Sequence, residues 1–433
     1  MRKILCTLVL AATALTAQAQ WLRVWKAGES TRYAISEMGN VPYDEAGTTL
    51  TFGTDNYSTV EIDSITIINP VIIKWEGDEA TVDIPETAEG VTVNISGGNV
   101  VINNTCNDIE HEFILQGASD NGSFTYNGTY KTKFHLNGLD LTSTTGAAID
   151  IRCGKRIDLI LEEGTENSLA DCAGGSQKAA FNCQGHLEIA GAGSLTIAGN
   201  TNHALRAKEY LLLKKNLGTI NVTKAAADGI HCGEFFQMNG GTLNLSGTAS
   251  DGLQVEADAA SDEILNGQFI LNGGSIDVTL SAADSKAVRL DADPLDATLI
   301  PEMYLNDGTV TVNLTATALG SKAIASDGNL TIGTASTSPS VDITVAAGVY
   351  VDPETEEKNR ATGLKADQTL TIAGGTTTVA ATATKARGVR AATLTATGGT
   401  LTVTNTGSKS EGIKLDNTFV AGQGGTVSGN FKY

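Results

Sequence analysis

Residues 235–256 read FFQMNGGTLNLSGTASDGLQVE, and this stretch decides the fold. Three short runs, FFQM, TLNLS and GLQVE, each alternate apolar with polar residues. A period of two puts Phe236, Met238, Leu243, Leu245, Leu253 and Val255 on one side of three strands. Gly240-Gly241 turns the chain after the first run, and Ala249-Ser250-Asp251-Gly252 turns it before the third. A unit this short cannot bury six apolar side chains alone. It needs near-copies above and below it.

The copies are present. HLEIAGAGSLTI, FILNGGSIDV, MYLNDGTVTV, LTIAGGTTTV, LTATGGTLTV and FVAGQGGTVS repeat the first strand and its turn. GIHC, AVRLD, AIASD, GLKAD, GVRAA and GIKLD repeat the third strand. Equivalent turn residues recur at about 23–26 or about 32–35 positions, a solenoid period in which the longer steps carry insertions. The pattern predicts an all-β chain: a parallel β-helix with three faces and about ten coils, neighbouring coils ~4.8 Å apart.

The chain opens with MRKILCTLVLAATALTAQAQ, a basic start, an apolar run and the small-x-small site Ala17-Gln18-Ala19. This is the pattern of a signal peptide over residues 1–19, too short for a membrane span. Export is the expectation, to the cell exterior, the periplasm or the cell surface, without a lipid anchor. No later stretch is apolar enough to span a bilayer. The formal net charge of -20 argues against nucleic-acid and anionic-membrane partners. It suits a neutral glycan, or an anionic one reached through cations. A monomer is expected.

Beyond the leader stand Cys106, Cys153, Cys172, Cys183 and Cys232, an odd number. Cys183 and Cys232 fall in the inward column of Ile151, Ala207, Val255 and Leu290, two coils apart and beyond disulfide reach. Cys153 and Cys172 are left as a candidate pair. No spacing suggests zinc. Residues 20–70 lack the repeat and read as a small N-terminal β module, a cap or a spacer, with Asn69-Pro70 as the boundary. This module resembles the short segment that precedes unrelated domains in many secreted bacterial proteins. The helix is then expected over residues 71–433. In FTYNGTYKTKF, near its start, aromatics gather either to cover the exposed first coil or to stack on sugar rings.

Residues 155–205, KRIDLILEEGTENSLADCAGGSQKAAFNCQGHLEIAGAGSLTIAGNTNHAL, are followed by AADGIHC and ASDGLQVE. Together these motifs resemble a bacterial family of carbohydrate-binding, right-handed β-helix proteins with a pectate-lyase-like fold. The resemblance runs from about Val71 to the end. It implies right-handed coils, and binding of cellulose and acidic plant polysaccharide, with bound calcium.

Stacked coils bring two columns of charge together. Just past the last inward residue of the third strand stand Glu256, Asp291, Asp327, Asp367 and Asp416. Carboxylates about 5 Å apart repel, and must splay, take up protons or hold a cation. Two acidic insertions start at this column, ADAASDEILNG and ADPLDATLIPE, and are expected to form a lip. The calcium candidates are Asp251, Glu256, Asp258, Asp262, Asp291, Asp293 and Asp296, because Ca2+ takes many oxygens with flexible geometry. Turn chemistry and a solvated acidic rim are the plainer reading. The outward column of the third strand holds Arg206, His231, Gln254, Arg289, Lys365 and Arg390 as sugar-binding candidates. Charge balance against the acidic column explains them equally well. The second strand's outward column, Asn244, Asp277, Thr311, Asp342, Thr378 and Thr402, reads as strand surface or a polar glycan track.

Three functions stand open: calcium-assisted polysaccharide binding without catalysis, a calcium-dependent lyase, and a structural or adhesive solenoid. β-Elimination from a uronan needs a base beside the C5 proton, and Arg206, Arg289 and Arg390 are candidates only by column. No nucleophile triad or paired-carboxylate spacing is present.

Overall fold

Leu243 lies in register with Ile220 one coil before it and with Ile276 one coil after, and the column continues through Val310 and Val341. All five are at most 1% exposed. The computed structural model describes residues 21–432 apart from 28, 36–40, 43, 45 and 423. The expected leader, residues 1–19, lies outside the described residues. The architecture is all-β, dominated by one mostly parallel sheet of 35 strands.

Through the middle of that sheet each strand pairs with the third strand after it. Phe235–Met238 pairs with Gln268–Leu271, Thr242–Leu245 with Ser275–Leu280, and Leu253–Glu256 with Lys286–Asp291, all parallel. Three ladders result, one for each strand of the quoted unit. Phe236, Met238, Leu243, Leu245, Leu253 and Val255 are all at most 2% exposed, as the alternation predicts. Ile151, Cys183, Ala207, Cys232, Val255 and Leu290 also form one inward column, pair by pair.

Turns stack as tightly as strands. A Cβ on Gly308 (φ +87°) would stand 2.5 Å from the Gly274 carbonyl oxygen, and one on Gly274 (φ +88°) 2.6 Å from that of Gly241. Both the left-handed φ and the neighbouring coil therefore demand glycine. Beside this turn Asn306 donates to Asn272, and Asn272 to Asn239, each at 2.9 Å. That amide ladder ties three coils together.

The contacts divide the chain into two compact units: Met1–Ile72 with Asp83–Glu89, and Ile73–Val82 with Gly90–Tyr433. In the first, Glu29–Ala34, Trp21–Lys26 and Ser64–Ile68 make an antiparallel sheet. Leu22, Val24, Leu50 and Phe52 form its core, with Tyr33 and Tyr57 packed against them. Early in the second unit Val91–Ser96 pairs antiparallel with Gly98–Asn104, and the parallel stacking continues from that strand onto Gly122–Gly128. There Phe113, Phe124, Tyr126 and Phe134 pack ring on ring, with centroids 5.1–5.6 Å apart. None is more than 1% exposed, so these four rings fill the solenoid's first coils, while Tyr130 of the same stretch is half-buried. At the far end the sheet stops on two residues, Phe431–Lys432.

The five described cysteines are free thiols. Cys153 Sγ faces the Tyr130 carbonyl at 3.3 Å and Cys172 Sγ lies 3.4 Å from Gln177 Nε2, so the candidate pair is not joined. Polar residues interrupt the inward columns at Asn167, Ser326 and Thr377. Thr377 stacks between Val341 and Leu401, is 0% exposed, and its hydroxyl has no hydrogen-bond partner among the described residues. A valine has the same shape without the desolvated hydroxyl. Thr377→Val is expected to stabilise the protein by about 1 kcal/mol, measured as a rise in the thermal unfolding midpoint.

Candidate functional site: a cationic cleft on the third-strand ladder

The outward column of the third strand is continuous. Asn182, Arg206, His231, Gln254, Arg289, Ala325, Lys365, Arg390, Lys414 and Lys432 face one another in register, coil after coil. The six sugar-binding candidates therefore share one row, yet they do not share one environment. Ala325, 4% exposed, divides them.

Before Ala325 the polar ends are engaged by neighbouring side chains. Arg206 donates to Asn182 Oδ1 at 3.3 Å. His231 Nδ1 lies 3.3 Å from Asp228 Oδ2, and its Nε2 3.6 Å from Glu256. Gln254, 8% exposed, donates to Glu256 at 3.0 Å and to Asp291 at 2.7 Å. Arg289 reaches Asp251 with Nη1 at 2.9 Å and bonds Asp291 through Nε. On this part of the ladder, charge balance is what the geometry displays.

Those contacts also place the acidic candidates. Glu256 and Asp291 are register neighbours, as the stacking predicts. Asp251 is 2% exposed; its Oδ1 accepts the Lys286 N–H at 2.7 Å and its Oδ2 accepts Arg289. Asp291 likewise has Arg289 on Oδ1 and Gln254 on Oδ2. Burial raises the Asp291 pKa, against the pull of Arg289. A guanidinium thus stands between the two carboxylates, and this pair does not fit a calcium ion. The insertions do meet in a lip: Asp293 Oδ2 accepts the Ala259 N–H at 2.6 Å. Within it, Asp258 and Asp296 accept N–H groups of their own loops, from Ala260 at 2.8 Å and Thr298 at 2.9 Å. Asp262 is exposed, and so is Glu256, at 51% of its side chain. Among the described residues, none of the seven joins a group of three whose ligand atoms converge within 4.8 Å.

Two such groups exist, and both use histidines that the column reading left out. In one, His203 Nδ1 and His231 Nδ1 lie 3.2 and 3.3 Å from Asp228 Oδ2, their rings stacked at 4.5 Å. Burial opposes the charge on Asp228, but hydrogen bonds from the two imidazoles prevail and hold its pKa well below the usual range. The other gathers His186, Glu209 and Glu234.

Beyond Ala325 the picture changes. Lys365, Arg390 and Lys414 line a cleft of about 290 Å³ with Lys322, Lys358, Asn359, Arg360, Thr362 and Arg387. Seven of these nine residues are cations and none is a carboxylate. Three sources supply them. Lys365, Arg390 and Lys414 come from the outward column. Lys322 and Arg387 come from a second row, Lys286, Lys322, Thr362, Arg387 and Glu411, at the start of the same strands. Lys358 and Arg360 come from an antiparallel hairpin, Val349–Val351 on Lys358–Arg360, inserted into its coil. The second row was legible as the Lys or Arg three residues before the outward column in SKAVRL and KARGVR. The hairpin carried no repeat signal.

Some of this charge is balanced from outside the cleft. Lys365 bonds Asp367 at 2.7 Å, and Arg390 and Lys414 reach Asp416 at 3.4 and 3.3 Å. Glu411 is the main anchor: Lys432 Nζ lies at 2.6 Å, Arg387 Nη2 at 2.7 Å and Arg360 Nη2 at 3.7 Å. Burial pushes the Glu411 carboxyl up, but hydrogen bonds from Lys432 and Arg387 outweigh it and hold it at about 2. Lys322 moves the other way for a cation. Burial, with the charges of Lys286, Lys365 and Arg387, outweighs Asp284 and brings it down to about 8.

A coiled β architecture carrying a cleft lined by cations and no carboxylate defines a class: a β-solenoid with a positively charged surface site. Comparison with known proteins makes the class specific. Residues 96–412 match the family described as carbohydrate-binding domain-containing protein. The match spans well over half of the chain, and the protein belongs to that family. Among solved structures, the chain is similar to the polysaccharide lyase-like protein from C. thermocellum, solved as a gadolinium derivative. Identity is 18%, coverage 63% of this chain and 96% of that one, and the TM-score 0.47. No curated protein matches the chain.

Glu411 links three coils, so its charge should matter to stability. Its folded pKa lies below the ordinary carboxylate value, so the stabilisation is present above about pH 4.5 and is lost as pH falls toward 2. Glu411→Gln should cost about 2 kcal/mol at neutral pH. Unfolding measured against pH should show wild type and variant converging in acid.

Proposed function

We propose that this protein is an exported, non-catalytic binder of polysaccharide, and that its ligand is an acidic glycan such as a pectin-type uronan. The observation that carries the reading is the cleft: seven cations gather without a lining carboxylate, in a chain of net charge -20. Only a site for anions rewards holding so many like charges together. Guanidinium groups bind carboxylates through paired hydrogen bonds, and Arg390 lines the cleft beside Arg360 and Arg387, whose charges Glu411 partly balances. Membership of a carbohydrate-binding family makes a uronate chain a fitting source of regularly spaced carboxylates. Cellulose, the neutral alternative, is better served by exposed aromatic platforms. Outward rings are few here, and Phe235, which the alternation turns opposite to Phe236, is only 6% exposed.

The finer features of this reading belong with it: right-handed coils, about ten of them, and export directed by residues 1–19. No helix among the described residues is long and apolar enough to cross a membrane. Calcium assistance falls to the lip, where Glu256, Asp258, Asp262 and Asp293 would share an ion with the carboxylates of the glycan. Asp251 and Asp291 are excluded from that role by Arg289.

Retention on a pectate matrix is the test. Wild type should be held at low salt and released by high salt, because the contacts are screened. The double variant Lys365→Ala with Arg390→Ala should bind about tenfold more weakly. EDTA should weaken retention if the lip acts through calcium. A wild-type protein that passes straight through pectate at low salt overturns the reading, and retention on cellulose alone redirects it to a neutral glycan.

One observation favours a second reading. Lys322 lines the cleft, is 13% exposed at its side chain, and has a pKa of about 8. A base in that range can take a C5 proton near neutral pH. The C4–O bond would then break, leaving a C4–C5 double bond on one sugar and a free hydroxyl on the other. Under this reading, polygalacturonate with added calcium should show the absorbance of the unsaturated product, rising between pH 7 and 9. Lys322→Met should abolish that signal while pectate retention persists. A flat trace with wild type leaves binding alone.

A further inference from the structure

A different corner of the solenoid carries an independent inference. Where the third strand of a coil runs into the first strand of the next, Glu209 and Glu234 occupy equivalent places. Each lies two residues after the paired Ala207 and Cys232, and two before the paired Leu211 and Phe236. His186 precedes Leu187, the partner of Leu211 one coil earlier. Stacking therefore brings one imidazole and two carboxylates, far apart in sequence, to the same edge.

Their atoms are arranged as if around something. His186 Nδ1 lies 3.8 Å from Glu234 Oε2, and His186 Nε2 lies 3.9 Å from Glu209 Oε2. One ligand atom from each residue falls within 4.8 Å of the others. These separations are too long for hydrogen bonds. His186 Nδ1 and Glu234 Oε2 are both buried and lack a hydrogen-bond partner among the described residues. Leaving two such groups unmet is costly, and native proteins rarely do so without a reason.

The surroundings fix the three side chains. Ser261 donates to Glu234 Oε1 at 2.7 Å, and Lys208 donates to Glu209 Oε1 at 3.3 Å, so each carboxylate turns its other oxygen to the gap. Glu234 is 6% exposed and has a left-handed backbone, φ +54°. A non-glycine residue in that conformation is a strain that functional sites tend to hold. The imidazole packs against Tyr210, centroids 4.5 Å apart and rings tilted by 40°, and Tyr210 stacks on Phe235 at 4.5 Å. The rings orient His186 and shield one side of the gap.

We propose that His186, Glu209 and Glu234 form a binding site for a first-row divalent metal ion of the zinc type. A nitrogen with two carboxylate oxygens is a ligand set zinc accepts, and it keeps a position open for a further ligand. Calcium prefers oxygens alone, which separates this site from the acidic lip. The His203, Asp228 and His231 group differs, because its contacts at 3.2 and 3.3 Å already satisfy it without an ion.

The experiment titrates ZnCl2 and CoCl2 into the full chain, stripped of metal with EDTA, and follows heat and the visible absorbance of cobalt. Wild type should take up one equivalent, and a large excess of CaCl2 should not displace it. His186→Ala should weaken uptake by at least about tenfold. Glu209→Gln, at a half-buried position that tolerates the swap, should do the same and covers the case in which the first variant misfolds. His203→Ala should retain the site. Wild type that takes up no stoichiometric zinc, or uptake that survives both His186→Ala and Glu209→Gln, overturns the proposal. So does uptake lost in His203→Ala alone.

Discussion

In-register stacking of one coil on the next is the constraint on which everything else depends. Parallel strands pair their backbones evenly, so a residue must sit over its equivalent in the coil below. Once Leu243 stands on Ile220 and under Ile276, every neighbour along the strand is placed as well. Side chains that point inward pile into a spine of apolar groups. Those that point outward form rows of like position. The glycines at 274 and 308 show how little slack remains, since the turn backbones approach closely enough to exclude a Cβ.

Rows of like position make charge a structural problem and a functional resource. Where cations and acids alternate between adjacent rows, they neutralise each other. Arg289 between Asp251 and Asp291 is the clearest case. Where a row and its neighbour are both cationic, the charges add. Lys322, Arg387, Lys365 and Arg390 arise from two such rows, and the Val349–Val351 hairpin strand with its partner adds Lys358 and Arg360. Glu411 holds the far side of this concentration from below, bonded by cations of different coils. The depressed pKa of Lys322 reflects the same crowding.

Much of this was legible from alternation and spacing. The inward faces of the quoted unit, the cysteine column and the pairing of Glu256 with Asp291 all follow from a period of two and a repeat of fixed length. The outward row from Arg206 to Arg390 was legible for the same reason. What each member of that row does was not. Gln254 and Arg289 turn to acids on their own and neighbouring strands, whereas Lys365 and Arg390 line a cleft, and sequence spacing treats all four alike. The aromatic cluster near residue 124 likewise admits two readings until burial decides it.

The sequence by itself determined the architecture, because periodic apolar residues can be buried in only one way once copies stack. It also determined which residues share a row. Only the tertiary structure decided partners, since a side chain's rotamer and its neighbours across coils depend on insertions of unequal length. That is why the His186, Glu209 and Glu234 corner was invisible beforehand. Glu209 and Glu234 are equivalent in the repeat, but His186 falls one position out of their frame, and only the turn from the third strand into the first brings the three to face one another.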